Sequence, residues 1–134
     1  MKVFVDTNII ISAILFPKGK VAIVLSHILA KHTVVISSYT KDECFEVFRR
    51  KFPTKLDLLE DFFINAGFEI YKSSSQYDTA KFPEIRDAKD LPILASAILS
   101  DADILLTGDK DFDDIKISKP LIFTPAEYFE LIRE

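Results

Sequence analysis

Aspartate residues are concentrated in one part of this sequence. Eight of them lie between Asp87 and Asp114, together with only two lysines, and a further aspartate, Asp6, directly follows the apolar run Val3–Val5. Carboxylate oxygens are the ligands that hard divalent cations such as Mg²⁺ and Mn²⁺ prefer. A cation of this kind lowers the pKa of a bound water and so generates a nucleophile. The acids therefore predict either a solvated acidic surface or a metal site.

The sequence shows no second arrangement of reactive side chains. The single cysteine, Cys44, cannot form a disulfide within the chain, and it has no zinc-binding spacing with His27 or His32. A phosphate-binding loop, a dinucleotide-binding glycine pattern and a Ser-His-Asp set are absent from the sequence. Without a histidine beside them, the acids have no obvious general base of near-neutral pKa and favour a metal-activated water.

The elements that must position these acids alternate between strands and helices. Short apolar runs predict five strands, over Lys2–Asp6, Thr33–Ser37, Phe68–Tyr71, Asp103–Thr107 and Leu121–Phe123. Amphipathic segments predict helices over Asn8–Leu15, Lys20–Lys31, Thr40–Lys51, Lys55–Asn65, Leu91–Ser100 and Pro125–Arg133. The polar segment 72–86 is predicted to be a surface excursion. This alternation over 134 residues, 49% of them hydrophobic, indicates one α/β domain, residues 1–134, with a parallel sheet.

Two predicted strands end in acidic segments. The first is followed by Asp6-Thr7-Asn8, and the fourth ends in Thr107-Gly108-Asp109. Because sites in open parallel sheets lie at the carboxyl ends of the strands, we expect Asp6 and Asp109 to meet at one edge of the sheet.

The acids in the first half of the chain also have structural interpretations. Asp6 is either the N-cap of the following helix or a ligand that Asn8 orients by a hydrogen bond. Thr40 and Glu43 match a capping box, but Glu43 also flanks the buried stripe that begins at Cys44 and can lean toward the strand ends. The sequence leaves both alternatives open for each acid.

The same ambiguity applies to the later acids. One of Asp87 and Asp90 is expected to cap the next helix while the other faces the strand ends, and we favour Asp90 for the site. Asp109 either caps a short turn after Gly108 or contributes a ligand, and Asp111 is a candidate secondary ligand.

A basic group formed by Arg49, Arg50 and Lys51 offers a possible contact to phosphates, although it also fits an ordinary polar helix face. The formal net charge of −4 argues against a nucleic-acid partner when taken alone. That charge equals the charge of four carboxylates, so bound divalent cations would offset it.

The order and spacing of these residues resemble the PIN-domain family over nearly the whole chain. The resemblance lies in Val5-Asp6-Thr7-Asn8, in Glu43 after Ser37-Ser38, in Asp87-Ala88-Lys89-Asp90 and in the segment Leu106–Phe112 with Thr-Gly-Asp-x-Asp-Phe. It is closest to the ribonuclease toxins of prokaryotic type II toxin–antitoxin pairs. It implies a three-layer α/β/α fold with a parallel sheet ordered 3-2-1-4-5.

The resemblance also implies a site and an activity. The metal ligands would be Asp6, Glu43, Asp90 and Asp109, supported by Asn8, Asp87, Thr107 and Asp111. The expected reaction is hydrolysis of RNA phosphodiester bonds with one or two Mg²⁺ or Mn²⁺ ions. We further expect a homodimer, a small antitoxin partner, a cytoplasmic location and no membrane span, since no apolar run approaches the ~20 residues of a transmembrane helix.

Three other functions compete with the ribonuclease interpretation. A non-catalytic RNA- or protein-binding subunit on the same scaffold is compatible with the sequence. A metal-dependent phosphatase of the haloacid-dehalogenase type needs a second aspartate two residues after the first, where this chain has Asn8. A phospho-accepting receiver domain needs a lysine after its last strand, whereas Lys119 precedes the fifth predicted strand.

Overall fold

Five parallel strands form the sheet. The computed structural model describes residues 1–73, 78–85 and 87–133, so the predicted excursion over 72–86 lies partly outside the described residues. The strands are β1 (Lys2–Val5), β2 (Thr33–Ser37), β3 (Phe68–Tyr71), β4 (Ile104–Leu106) and β5 (Leu121–Phe123). They lie in the order β3-β2-β1-β4-β5, and every neighbouring pair is parallel. The predicted order is confirmed, and it makes β1 and β4 neighbours.

The helices are α1 (Thr7–Leu15), α2 (Lys20–Lys31), α3 (Ser38–Lys51), α4 (Leu56–Asn65), α5 (Leu91–Leu99) and α6 (Pro125–Ile132). Short 3₁₀ turns occupy Pro53–Lys55, Thr79–Lys81, Ala88–Asp90 and Lys110–Phe112. No single helix in the described part of the chain is long and apolar enough for a membrane span; α1 and α2 meet that test only as a pair bent by 113°.

The apolar residues of β1 divide the core into two clusters. Val3 and Val5 face α1, α2 and α3, whose buried side chains include Ile10 and Phe48. Phe4 points to the opposite face, where it joins the cluster that contains Leu94 of α5. Successive side chains of a strand point to opposite faces, so a strand covered on both faces is apolar throughout. The sheet thus lies between two helical layers, as predicted.

Candidate functional site

Asp6 lies where β1 and β4 end side by side. Val5 is in register with Leu106, and the Asp6 backbone N–H donates to the Leu106 carbonyl at 3.1 Å. The Asp6 side chain is buried, and its carboxylate accepts the Thr7 backbone N–H and the Thr107 hydroxyl, each at 2.7 Å. Asp6 is therefore the N-cap of α1, which begins at Thr7 and not at Asn8, and the same carboxylate is fixed at the edge of the sheet.

Thr107 connects the two acidic segments. Its buried hydroxyl donates to Asp6 and accepts the backbone N–H of Asp109 at 3.1 Å. Burial is the largest influence on Asp6 and raises the pKa of its carboxyl group. The hydrogen bonds from Thr107 and Thr7 oppose that rise, while the negative charges of Asp109 and Glu43 add to it. Because Asp109 and Glu43 both act on the pKa of Asp6, these three acids lie near one another at the ends of β1 and β4.

A cavity of about 440 Å³ opens at this edge of the sheet. Five acidic residues line it: Asp6, Glu43, Asp87, Asp90 and Asp109. Asn8 lines the same cavity, whereas Thr107 lies outside its lining and contacts it through the hydrogen bond to Asp6. The structure thus brings together the four residues proposed as ligands, and it places the predicted supporting residues beside them.

Glu43 does not take part in a capping box. The N-cap of α3 is Ser37, whose hydroxyl accepts the backbone N–H of Thr40 at 2.9 Å. The helix therefore begins two residues earlier than predicted, and the capping-box interpretation of Thr40 and Glu43 is wrong. The Glu43 carboxylate instead lines the cavity, where it accepts the Tyr39 hydroxyl at 3.3 Å.

Asp87 and Asp90 divide the capping and site roles. Asp87 accepts the Lys89 backbone N–H at 3.0 Å and so caps the turn Ala88–Asp90. Asp90 makes no capping bond to α5, and its Oδ2 atom is buried with no hydrogen-bond partner among the described residues. One carboxylate oxygen from each of Asp87, Asp90 and Asp111 lies within 4.8 Å of the others.

The pKa of Asp90 is raised by its surroundings. Burial has the largest effect, followed by the neighbouring carboxyl groups of Asp109, Asp111 and Asp87, and together they raise the pKa of Asp90 to about 7.

Asp109 both caps a turn and lines the cavity. Its carboxylate caps the turn Lys110–Phe112 by accepting the backbone N–H of Asp111 at 2.9 Å, and the residue is part of the cavity lining.

The basic residues at the end of α3 lie outside the lining of the cavity. Within the described residues, none of Arg49, Arg50 and Lys51 lines it. The Arg49 guanidinium lies 5.5 Å from the centre of the Phe45 ring, and Arg50 pairs with Glu46 at 3.1 Å. Helical spacing places Arg50 on the side of α3 that carries Glu43 and Arg49 on another side, and the contact of this basic group with phosphates stays a prediction.

Three polar or aromatic residues that line the cavity were not predicted to be functional. Lys89 is a cation in the lining, Tyr39 is a half-exposed aromatic ring, and the buried Thr7 hydroxyl has no hydrogen-bond partner among the residues described. Tyr39 lies one helical turn before Glu43, so the i, i+4 rule would have identified it. Lys89 lies between Asp87 and Asp90 in the sequence, and this position would have identified it as a neighbour of the site.

The lining supplies many oxygen atoms that could bind a metal ion, but little positive charge to balance its carboxylates. It contains carboxylates, hydroxyls and an amide but neither cysteine nor histidine among the described residues, a donor set that suits a hard divalent cation. Isolated carboxylates at a partly buried edge are costly to desolvate without such a counter-charge.

Comparisons with known proteins agree with this architecture. The family model described as PIN domain matches residues 2–111, which include every acid that lines the cavity. Among similar solved structures is VapBC2 from Rickettsia felis bound to a DNA fragment from its promoter, with a TM-score of 0.67 and 21% identity. That alignment covers 92% of this chain and 98% of the other chain and shows a shared fold. A comparison with curated proteins gave no match. On the family match and the sheet order, the chain belongs to the PIN domain family.

Proposed function

We propose that this protein is a metal-dependent ribonuclease that hydrolyses RNA phosphodiester bonds, and that it is the toxin of a toxin–antitoxin pair. The observation that carries the proposal is the convergence of Asp6, Glu43, Asp90 and Asp109 on one cavity at the ends of β1 and β4. The family membership and the fold shared with VapBC2 support it.

The residues present fit a divalent cation. Two buried oxygen atoms, Thr7 Oγ1 and Asp90 Oδ2, have no hydrogen-bond partner within the described ranges, which is a costly state that a hydrated cation would relieve. In this proposal Asp6, Glu43, Asp90 and Asp109 hold Mg²⁺ or Mn²⁺. The supporting residues are Asn8, Asp87, Thr107 and Asp111. The carboxylates suffice for one ion or for two.

When bound, the metal supplies a water of lowered pKa and positive charge against the phosphate oxygens. The protein's own part is to position groups. Thr107 fixes the orientation of Asp6, and Asp87 and Asp109 cap the turns that hold Asp90 and Asp111 in place. Lys89 gives the substrate phosphate a cation at the cavity, while the acids keep an anion away until their charge is neutralised.

The proposal extends to partners. A small antitoxin partner is proposed from the resemblance to the toxins of toxin–antitoxin pairs, and the fold shared with a chain of the promoter-bound VapBC2 structure supports it. The homodimer implied by the family resemblance stays a prediction, and light scattering of the purified protein tests it. The proposed RNA substrate implies a cytoplasmic location.

The activity is tested with purified protein and labelled RNA in Mg²⁺, Mn²⁺ or EDTA. We expect cleavage that requires metal, that Asp109→Asn abolishes and that the exposed control Asp42→Asn retains. We also expect metal to raise the melting temperature of the unmodified chain and not that of Asp6→Asn. Equal cleavage by Asp109→Asn would point to a contaminating nuclease, and metal binding without cleavage of any RNA would favour a non-catalytic binding subunit.

A further inference from the structure

The cavity has a second surface besides its acids. Ile11 of α1 and Tyr39 and Val47 of α3 contribute apolar surface to the lining, and Pro92 adds to it from α5. A cation and a phosphate need polar groups only. An apolar surface beside them therefore indicates that the ligand of this cavity also has an apolar part.

Tyr39 is the most exposed of these apolar residues, with 43% of its surface accessible. Its hydroxyl donates to Glu43 at 3.3 Å, which holds the ring next to one of the proposed ligands while part of the ring stays open to solvent. The ring lines the same cavity as Glu43, Asp90 and Asp6, which are acids from three different parts of the fold. A large exposed aromatic ring in such a position is available to a ligand.

The hydroxyl of Tyr39 is already engaged, because it donates to Glu43. The face of the ring is therefore the part of Tyr39 that a ligand would use.

In a nucleic acid, the apolar group next to every phosphate is a base. Aromatic side chains stack on bases that are unpaired and turned outward, and bases inside a duplex cannot reach such a ring. We propose that Tyr39, with Ile11 and Val47 beside it, is the subsite for a nucleobase adjacent to the scissile phosphate, so that the nucleotide at the cut is unpaired. This inference rests on the proposed ribonuclease function and adds a specificity-determining residue to it.

The test compares the unmodified chain with Tyr39→Ala and Tyr39→Phe on a short single-stranded RNA whose cleavage position has been mapped. Because base stacking on an aromatic ring is lost in Tyr39→Ala, we expect its KM to rise roughly tenfold with little change in kcat. Tyr39→Phe retains the ring and should retain the KM. Ile64→Ala, an exposed apolar residue of α4 outside the cavity lining, is the matched control.

Substrate changes isolate the stacking contact. An RNA with an abasic nucleotide beside the cut should be processed equally by the unmodified chain and Tyr39→Ala, and the fully paired duplex of the same sequence should resist cleavage. An unchanged KM in Tyr39→Ala, a loss in Tyr39→Phe equal to that in Tyr39→Ala, or cleavage of the duplex at the single-strand rate would overturn the inference while leaving the ribonuclease proposal intact.

If the unmodified chain cuts no RNA, the ribonuclease proposal fails and the subsite is judged by binding. Fluorescence anisotropy with the same single-stranded RNA and Mg²⁺ then measures affinity for the unmodified chain and for Tyr39→Ala. Weaker binding by Tyr39→Ala supports a base subsite, and equal binding refutes it. Melting curves of each variant establish that it is folded.

Discussion

Replacing Asp90 with asparagine is expected to stabilise the protein in the absence of metal. Asp90 is half-buried, and the carboxyl groups of Asp87 and Asp111 lie beside it. Burial and then these neighbours, with Asp109, raise the pKa of Asp90 to about 7. A carboxyl group whose pKa is higher in the folded state than in the unfolded state contributes stability below the unfolded value, and this contribution is lost as the pH rises through the folded value. The contribution of Asp90 to the stability of the unmodified chain should therefore be lost between about pH 4 and pH 8.

The size of the effect follows from the two pKa values. The difference between about 7 and the ordinary 3.8 corresponds to about 4 kcal/mol at full strength. Solvent screening at a half-buried site reduces this to about 1–2 kcal/mol. With an unfolding entropy of about 2.1 cal/mol/K per residue, each kcal/mol shifts the melting temperature of a chain of this length by about 3–4 °C. Asp90→Asn should melt about 4–7 °C higher than the unmodified chain at pH 8 in EDTA, with no gain at pH 4.

Thermal melts at both pH values, with Asp42→Asn as the exposed control, check this prediction. Saturating Mg²⁺ should reverse the order of the variants, because ligand at a hundredfold excess over Kd adds about 2.7 kcal/mol to the chain that binds it. An Asp90→Asn melting temperature equal to or below that of the unmodified chain at pH 8 in EDTA would show that the carboxylates do not repel one another as described.

Three further predictions concern other residues. Glu43→Gln should reduce the kcat/KM of RNA cleavage at least about a hundredfold, because Glu43 lines the cavity. Glu46→Gln should reduce it less than about threefold, because Glu46 pairs with Arg50 on the surface. Thr107→Val should cost about 1–3 kcal/mol of stability, measured by urea unfolding, because it leaves the Asp6 carboxylate and the Asp109 backbone N–H without their shared hydroxyl, and Thr107→Ser should restore it. Lys89→Ala should weaken RNA binding. In a salt titration, the slope of log affinity against log salt concentration should fall by about one, as expected for the loss of one phosphate contact.

The sequence predicted the strands well because their signal is local. Strands β2, β3 and β5 and helix α2 have the predicted bounds, since an apolar run or a helical period is visible without knowing the fold. The starts of α1 and α3 were placed too late. At both starts a polar residue at a strand end, Asp6 or Ser37, caps the next helix directly, so no separate loop lies between strand and helix.

The site was harder to predict because one residue can both cap a helical turn and line a cavity. Asp6 and Asp109 each do so, and for these two residues a capping role does not exclude the proposed ligand role. For Glu43 the position of Ser37 excludes the capping box, and the ligand role stays a proposal. The exposed surface of Tyr39 depends on the packing of α1, α3 and α5 around the cavity, which no local pattern in the sequence encodes.

The bond between Asp6 and Thr107 joins residues 101 positions apart. During synthesis, the amino-terminal half of the site leaves the ribosome long before β4 exists to complete it. Loop closure over such a distance comes late in folding, because local elements form first. A chain interrupted before β4 lacks the hydroxyl that orients Asp6 as well as Asp109 itself. Shorter translation products therefore lack the bond that fixes Asp6, and the cavity at the ends of β1 and β4 is assembled only after β4 has been made.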